Sequence, residues 1–159
     1  MRLYLVRHGD AEDVSSQGDF GRRLTAKGHE QAARLGRFLA ANGLRPACCL
    51  TSPYQRARET TAAILAQLPA AWGLTATEEP RLGCGCDGPA LRAVLASVPA
   101  AEGGALVIGH QPDCGEILQY FCGGGQAAFK KCTLAVLELP ELRRAGGELA
   151  ALVPATLQG

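Results

Sequence analysis

Along this chain, short uninterrupted apolar runs alternate with stretches whose apolar positions recur every three or four residues. Leu3-Tyr4-Leu5-Val6 and Ala105-Leu106-Val107-Ile108 are runs of the first kind. Runs of that length suit strands covered on both faces. Ala32, Leu35, Phe38 and Leu39 are spaced for one helix face, as are Ala57, Thr61, Ile64, Leu65 and Leu68. The pattern predicts strands at 2–6, 46–50, 74–78, 105–108, 133–139 and 148–153. Thr25 is placed to cap the first helix, with Gly28 where a capping box would have Glu or Gln. Asn42-Gly43 stops that helix. Ser52 is placed to cap the second, with Pro53 at its first position. Further helices are predicted at 89–98 and from Pro112 to about Phe121. Strands alternating with helices imply a three-layer α/β/α sandwich around a mostly parallel central sheet. At 159 residues, 1–159 is expected to form a single domain.

Composition narrows the class without naming a function. Apolar residues make up 47% but aromatics only 5%, so Ala, Leu and Val must build the core. No apolar run is long enough to span a bilayer, and the first residues enter a strand with no signal-peptide pattern. A cytoplasmic protein is expected. A net charge of +1 offers no global field to recruit nucleic acid or a membrane. The cations are nearly all arginine, with lysine only at Lys27, Lys130 and Lys131. Seven cysteines with no export signal are expected to be reduced thiols. Cys48 and Cys49, adjacent on a strand, should face opposite ways. Cys84-Gly85-Cys86 lacks both the two-residue gap and the second pair of a zinc site, so no metal and no cofactor are expected.

Three predicted strand ends carry the candidate chemistry. The first ends in Arg7-His8-Gly9. The second opens into Ser52-Pro53-Tyr54-Gln55-Arg56, and the fourth ends in Gly109-His110. In a parallel sheet these ends share one edge, where open α/β sheets bind ligands. Two histidines and two arginines would converge there into a positive pocket, with arginine suited to bidentate phosphate contacts.

These blocks, with Ala57, Glu59-Thr60, Leu24-Thr25-Ala26-Lys27-Gly28, Gln111-Pro112-Asp113 and Phe129-Lys130-Lys131-Cys132, resemble the histidine phosphatase superfamily. Within it they resemble the short SixA-type phosphohistidine phosphatases. The resemblance runs from Met1 to about Leu139 and implies a phosphoglycerate mutase-like fold. It implies that His8 is the nucleophile that becomes a phosphohistidine. It also implies that Arg7, Arg56 and His110 hold the phosphoryl oxygens. A hydrogen bond from one ring nitrogen, for which the Gly9 carbonyl is the expected acceptor, would fix the tautomer. The expected substrate is a phosphohistidine-bearing protein, of which a phosphorelay histidine phosphotransfer domain is an example. Alternatives are a phosphatase or mutase for small phosphomonoesters, and a non-catalytic phosphoprotein-binding module.

The proton donor is less defined. Asp87, Asp10 and Glu12 are the carboxylate candidates. A phosphoramidate nitrogen is easily protonated before transfer, so a phosphohistidine phosphatase can do without a strong acid. The short stretch 70–104 leaves little chain for a lid, which suits a substrate carried on a protein surface. His29 and Arg58 read as surface groups, and Glu59 and Thr60 as packing supports. Lys130 and Lys131 read equally as plain surface charge or as a rim for an acidic partner.

Overall fold

A computed structural model describes residues 1–98, 103–125 and 127–158. Its strands are β1 (Arg2–Arg7), β2 (Cys48–Thr51), β3 (Ala76–Glu78), β4 (Ala105–Gly109), β5 (Leu134–Glu138) and β6 (Glu148–Val153). Its helices are α1 (Ala26–Ala41), α2 (Gln55–Leu65), α3 (Gly88–Ala96) and α4 (Asp113–Cys122). The six strands form one sheet in the order β3-β2-β4-β1-β5-β6. The pairings β3-β2, β2-β4 and β4-β1 are parallel, and β1-β5 and β5-β6 are antiparallel. This is the mostly parallel α/β sandwich the periodicity implies.

The unbroken apolar runs are explained by the two cores. Leu3 and Leu5 of β1 and Ala105 and Val107 of β4 pack toward α3 and α4. Tyr4, Val6, Leu106 and Ile108 pack toward α1 and α2. Successive strand residues point to opposite faces, and both faces are covered, so polar residues are excluded from both registers. Cys48 and Cys49 follow the same rule, one joining each core. All seven cysteines are free thiols.

Two features shape the sheet edge that carries the candidate residues. The ends of β2, β4 and β1 are neighbours in the sheet, so the three predicted strand ends lie side by side. The N-terminus of α1 meets the turn after β1 backbone to backbone. A Cβ on Gly28 would lie 2.0 Å from the Asp10 carbonyl oxygen, and one on Gly9 would lie 2.8 Å from the Gly28 carbonyl oxygen. Thr25 caps α1 by accepting from the Gly28 amide at 3.1 Å, while its hydroxyl donates to Asp10 Oδ2 at 2.8 Å. The missing capping-box carboxylate is thus explained by a close approach that only glycine permits.

The second helix starts later than its sequence suggests. Tyr54 is its N-cap and makes no side-chain capping bond. Ser52 does not cap the helix; its hydroxyl accepts from the Tyr54 amide at 3.3 Å and lies 2.7 Å from His110 Nε2. The polar stretch after β1 is also more structured than its composition implies. It pairs Ala11 with Leu24 in an isolated antiparallel bridge and makes a 3-10 turn at Asp19–Gly21. Among the described residues no helix is long and apolar enough to cross a membrane. Residues 99–102, within the stretch read above as too short for a lid, lie outside the described residues.

Candidate active site

His8 sits one residue beyond β1. Its amide donates to the Gly109 carbonyl at 3.0 Å, and the next amide, Gly9, donates to Thr60 Oγ1 at 3.0 Å. The Thr60 hydroxyl in turn donates to the Arg56 carbonyl at 2.7 Å. The turn carrying the imidazole is therefore tied to β4 on one side and to α2 on the other. The ring is buried, and its Nδ1 lies 2.7 Å from the Gly9 carbonyl oxygen. A carbonyl only accepts, so Nδ1 carries the proton and Nε2 keeps its lone pair. Arg56 Nε donates to that lone pair at 3.2 Å. Burial, opposed by the Gly9 hydrogen bond but reinforced by His110, Arg56 and Lys131, pushes the His8 pKa down to about 3. At neutral pH the group is an uncharged imidazole with a directed nucleophilic nitrogen.

His110 lies on the adjacent strand end, its ring centroid 5.3 Å from that of His8. Its Nε2 is 2.7 Å from Ser52 Oγ, and its Nδ1 is buried with no hydrogen-bond partner. Burial and the Arg56 charge push its pKa down to about 4. Arg7 Nη1 donates to the Phe129 carbonyl at 2.7 Å, while its Nε is buried without a partner. Buried polar atoms left unpaired are uncommon and costly. Here two of them sit on residues read from sequence as phosphate ligands. The structure thus brings His8, Arg56 and His110 together directly and places Arg7 at the same edge.

The carboxylates are committed elsewhere. Asp87 caps α3, its Oδ1 accepting from the Ala90 amide at 2.8 Å. Asp10 accepts from the Thr25 hydroxyl and lies 3.8 Å from Lys131 Nζ. Glu12 accepts from the Arg23 amide at 3.4 Å. Glu59, a packing support in sequence, holds the preceding loop through Arg23 Nε at 2.8 Å and the Leu24 amide at 2.7 Å. Arg58 makes an exposed ion pair with Glu78 at 3.0 Å.

Several site neighbours carry no periodic signal and escape a sequence reading. Asp19 Oδ2 accepts from Arg56 Nη2 at 3.0 Å, and its Oδ1 accepts from Arg22 Nη1 at 2.9 Å. The hydrogen bonds from Arg22 and Arg56 outweigh the partial burial of Asp19 and hold its pKa below the usual carboxylate value. Arg56 Nη1 also donates to the Asp19 carbonyl at 2.6 Å. The Arg56 guanidinium stacks over the Tyr54 ring at 4.8 Å, and Phe20 packs on Tyr54 at 5.0 Å. Cys84 is exposed and lies 3.5 Å from Arg56 Nη2, while Cys86 is buried in the core. Burial raises both thiol pKa values. The Cys84-Cys86 pair is thus divided between surface and core. Among the described residues, no cluster of three or more His, Cys, Asp or Glu is disposed to hold a metal ion. Gly28 was the one legible signal, a glycine at the capping-box position.

Residues 3–83 match the model of the histidine phosphatase superfamily (branch 1). The chain belongs to that superfamily. An uncharacterized protein of Picosynechococcus is 39% identical over 123 residues, covering 73% of this chain and 70% of the relative. A broad-specificity phosphatase of Saccharomyces cerevisiae is 35% identical over 68 residues, which cover 41% of this chain and 30% of that protein. Among solved structures, the protein histidine phosphatase SixA complexed with tungstate superposes with a TM-score of 0.82 at 25% identity, over 98% of each chain. Histidine phosphatase membership accounts for the matched stretch from β1 through the loop after β3. The second histidine, His110, lies beyond it and joins the site through the β4-β1 pairing.

Proposed function

We propose that this protein is a phosphohistidine phosphatase that acts on protein substrates through a covalent intermediate on His8. The carrying observation is the ring geometry of His8. Its proton is on Nδ1, held by the Gly9 carbonyl, and its unprotonated Nε2 accepts from Arg56 Nε. In the first step Nε2 bonds to phosphorus as the bond from phosphorus to the substrate's imidazole nitrogen breaks. Arg7, Arg56 and His110 neutralise the charge that spreads over the equatorial oxygens. In the second step water attacks phosphorus, the bond to Nε2 breaks, and inorganic phosphate leaves. Splitting one displacement into two lowers the demand on each.

The carboxylate arrangement supports a phosphoramidate substrate over a phosphomonoester. Asp87 is spent on a helix cap, and Asp10 on Thr25. Asp19 is held ionised between two guanidiniums. These bonds engage Asp87 and Asp10, Asp19 is held as a carboxylate, and a phosphohistidine nitrogen that is protonated before transfer needs no acid from any of them. The similarity to SixA points the same way. The yeast broad-specificity phosphatase favours a second reading, hydrolysis of small phosphomonoesters.

The test is a substrate panel of a phosphohistidine protein, phosphoramidate, p-nitrophenyl phosphate and phosphoglycerates, run with wild type and His8→Ala. Preference for the first two, lost in His8→Ala, is the expected result. Preference for phosphoglycerates would install the second reading, and activity surviving in His8→Ala would overturn the nucleophile.

A further inference from the structure

A cleft rich in cations lies beside the catalytic edge. Its volume is about 510 Å³, and it opens where α1, the segment before β5 and the chain after β6 meet. Lys27 and Arg34 enter it from α1, Lys130 and Lys131 from the segment before β5, and Leu152 and Pro154 form an apolar wall. All three lysines of the chain therefore converge on one cleft, although Lys27 and Lys130 are far apart in sequence. None of the residues lining it is acidic. Lys27 and Lys130 are exposed, and neither makes an ion pair among the described residues. The nearest carboxylate to Arg34 Nε is that of Glu30, at 4.0 Å.

A second, independent feature points to a ligand. Thr133 lines the cleft and is fully buried, yet its hydroxyl has no hydrogen-bond partner. Arg34 Nε, on a partly exposed side chain, is itself shielded from solvent and has no hydrogen-bond partner. A buried hydroxyl and a buried guanidinium N–H without partners cost stability unless an acceptor reaches them. Two residues of the cleft also contact the turn that carries His8. Gln31 lines the cleft, and Gln31 Oε1 accepts from the amide of Asp10 at 2.9 Å. Lys131 Nζ lies 3.8 Å from Asp10 Oδ1. The cleft thus borders Asp10, two residues after His8.

Four cations spread around a partly apolar cleft of this volume suit an extended polypeptide carrying carboxylates better than a single compact anion. We propose that this cleft docks an acidic segment of the phosphoprotein, adjacent to its phosphorylated histidine, while the phosphoryl group enters the His8 pocket. The proposal rests on the phosphohistidine reading and names the surface that selects the protein carrying it. Exposed rim charges of this kind act mainly on encounter and are weakened by salt.

The double variant Lys27→Glu/Lys130→Glu tests it against two substrates. One is an acidic histidine phosphotransfer domain phosphorylated on its histidine, the other free phosphoramidate. At low ionic strength the variant is expected to lose about ten-fold or more in kcat/KM on the domain, chiefly through KM. The difference should shrink as salt is added. Phosphoramidate hydrolysis should stay within about two-fold of wild type, because neither lysine belongs to the catalytic set. Equal turnover of the domain by both proteins would overturn the docking surface, and so would an equal loss on phosphoramidate. If wild type hydrolyses phosphoramidate but leaves the domain intact, docking falls while the His8 chemistry stands. If it cleaves only p-nitrophenyl phosphate, the phosphohistidine reading itself has failed, and docking falls with it.

Discussion

The catalytic edge and the loop that covers it are held by different forces. At the edge, His8 and its neighbours are fixed by sheet-like and helix-linked backbone bonds, from the His8 amide to Gly109 and from the Gly9 amide to Thr60. The loop between Asp10 and Arg23 has its two ends tied by a backbone bond from the Glu12 amide to the Arg23 carbonyl at 2.9 Å, but it is fastened to the site by charge. Asp19 bridges Arg22 and Arg56, and Glu59 grips Arg23 and the Leu24 amide. Its remaining residues are mostly exposed, with Val14 at 81% and Phe20 at 50%. Backbone bonds buried in a sheet edge set a geometry, whereas ion pairs at a surface are exchangeable and salt-sensitive. The difference teaches that the His8 ring is oriented before any ligand arrives, and that the face of Arg56 proposed to bind the phosphoryl group is shared with a carboxylate that such a group can displace.

The largest expected effect breaks the fixed region. His8→Ala should lower kcat by at least about 10³-fold on every substrate while leaving the circular dichroism spectrum intact, as expected when a nucleophile is removed from an otherwise complete site. The wild-type protein, quenched during turnover, should carry labelled phosphate that is absent from this variant. A labelled variant would show that phosphate is carried elsewhere.

Gly28→Ala attacks the same region through its backbone. The added methyl would overlap the Asp10 carbonyl, which is main chain and cannot swing away. A loss of about 2–3 kcal/mol in urea unfolding is expected, together with reduced activity. A variant as stable as wild type would show that the approach of α1 to the His8 turn is loose.

The pH dependence of stability reports the two buried histidines. Their native pKa values, about 3 for His8 and about 4 for His110, lie below the unfolded value of 6.5. Between those limits the unfolded chain binds protons that the native state refuses. Stability therefore falls as pH drops from 6.5 toward 4 and is insensitive to these groups above 6.5. The melting temperature should decline by several degrees over that interval, and less steeply in His8→Gln. Equal slopes in the two proteins would show that His8 is not depressed.

The smallest effect concerns the loop. Asp19→Asn removes the carboxylate that occupies both guanidiniums, so KM for a phosphorylated substrate should fall by roughly two- to five-fold with kcat little changed, as for removal of a weak competing ion pair. A rise in KM would assign Asp19 to holding the pocket together.

Much of this was legible from the chain because sheet physics leaves a strong trace. Apolar runs covered on both faces marked β1 and β4, and the reactive groups sat immediately after them. The start of α2 was misread because Ser52 has the composition of a cap, and only the neighbouring strand shows its hydroxyl committed to His110. Asp19, Arg22 and Phe20 left no trace, because irregular loops have no period and their partners are distant in sequence. The reading that little chain remained for a lid considered 70–104, whereas the segment covering the site lies between Asp10 and Arg23.

By itself the sequence determined the α/β layering, the order of the strands along the chain, and which residues stand at the strand ends proposed for phosphoryl transfer. Local hydrophobic periodicity and turn chemistry are sufficient for these. Only the tertiary structure decided that β2, β4 and β1 are neighbours, that Nε2 of His8 is the unprotonated nitrogen, and that the carboxylates near it are already bound. It also gathered three lysines from opposite ends of the chain into one cleft. Those outcomes depend on pairings between distant segments and on burial, which shifts protonation and assigns hydrogen-bond partners in ways no local pattern encodes.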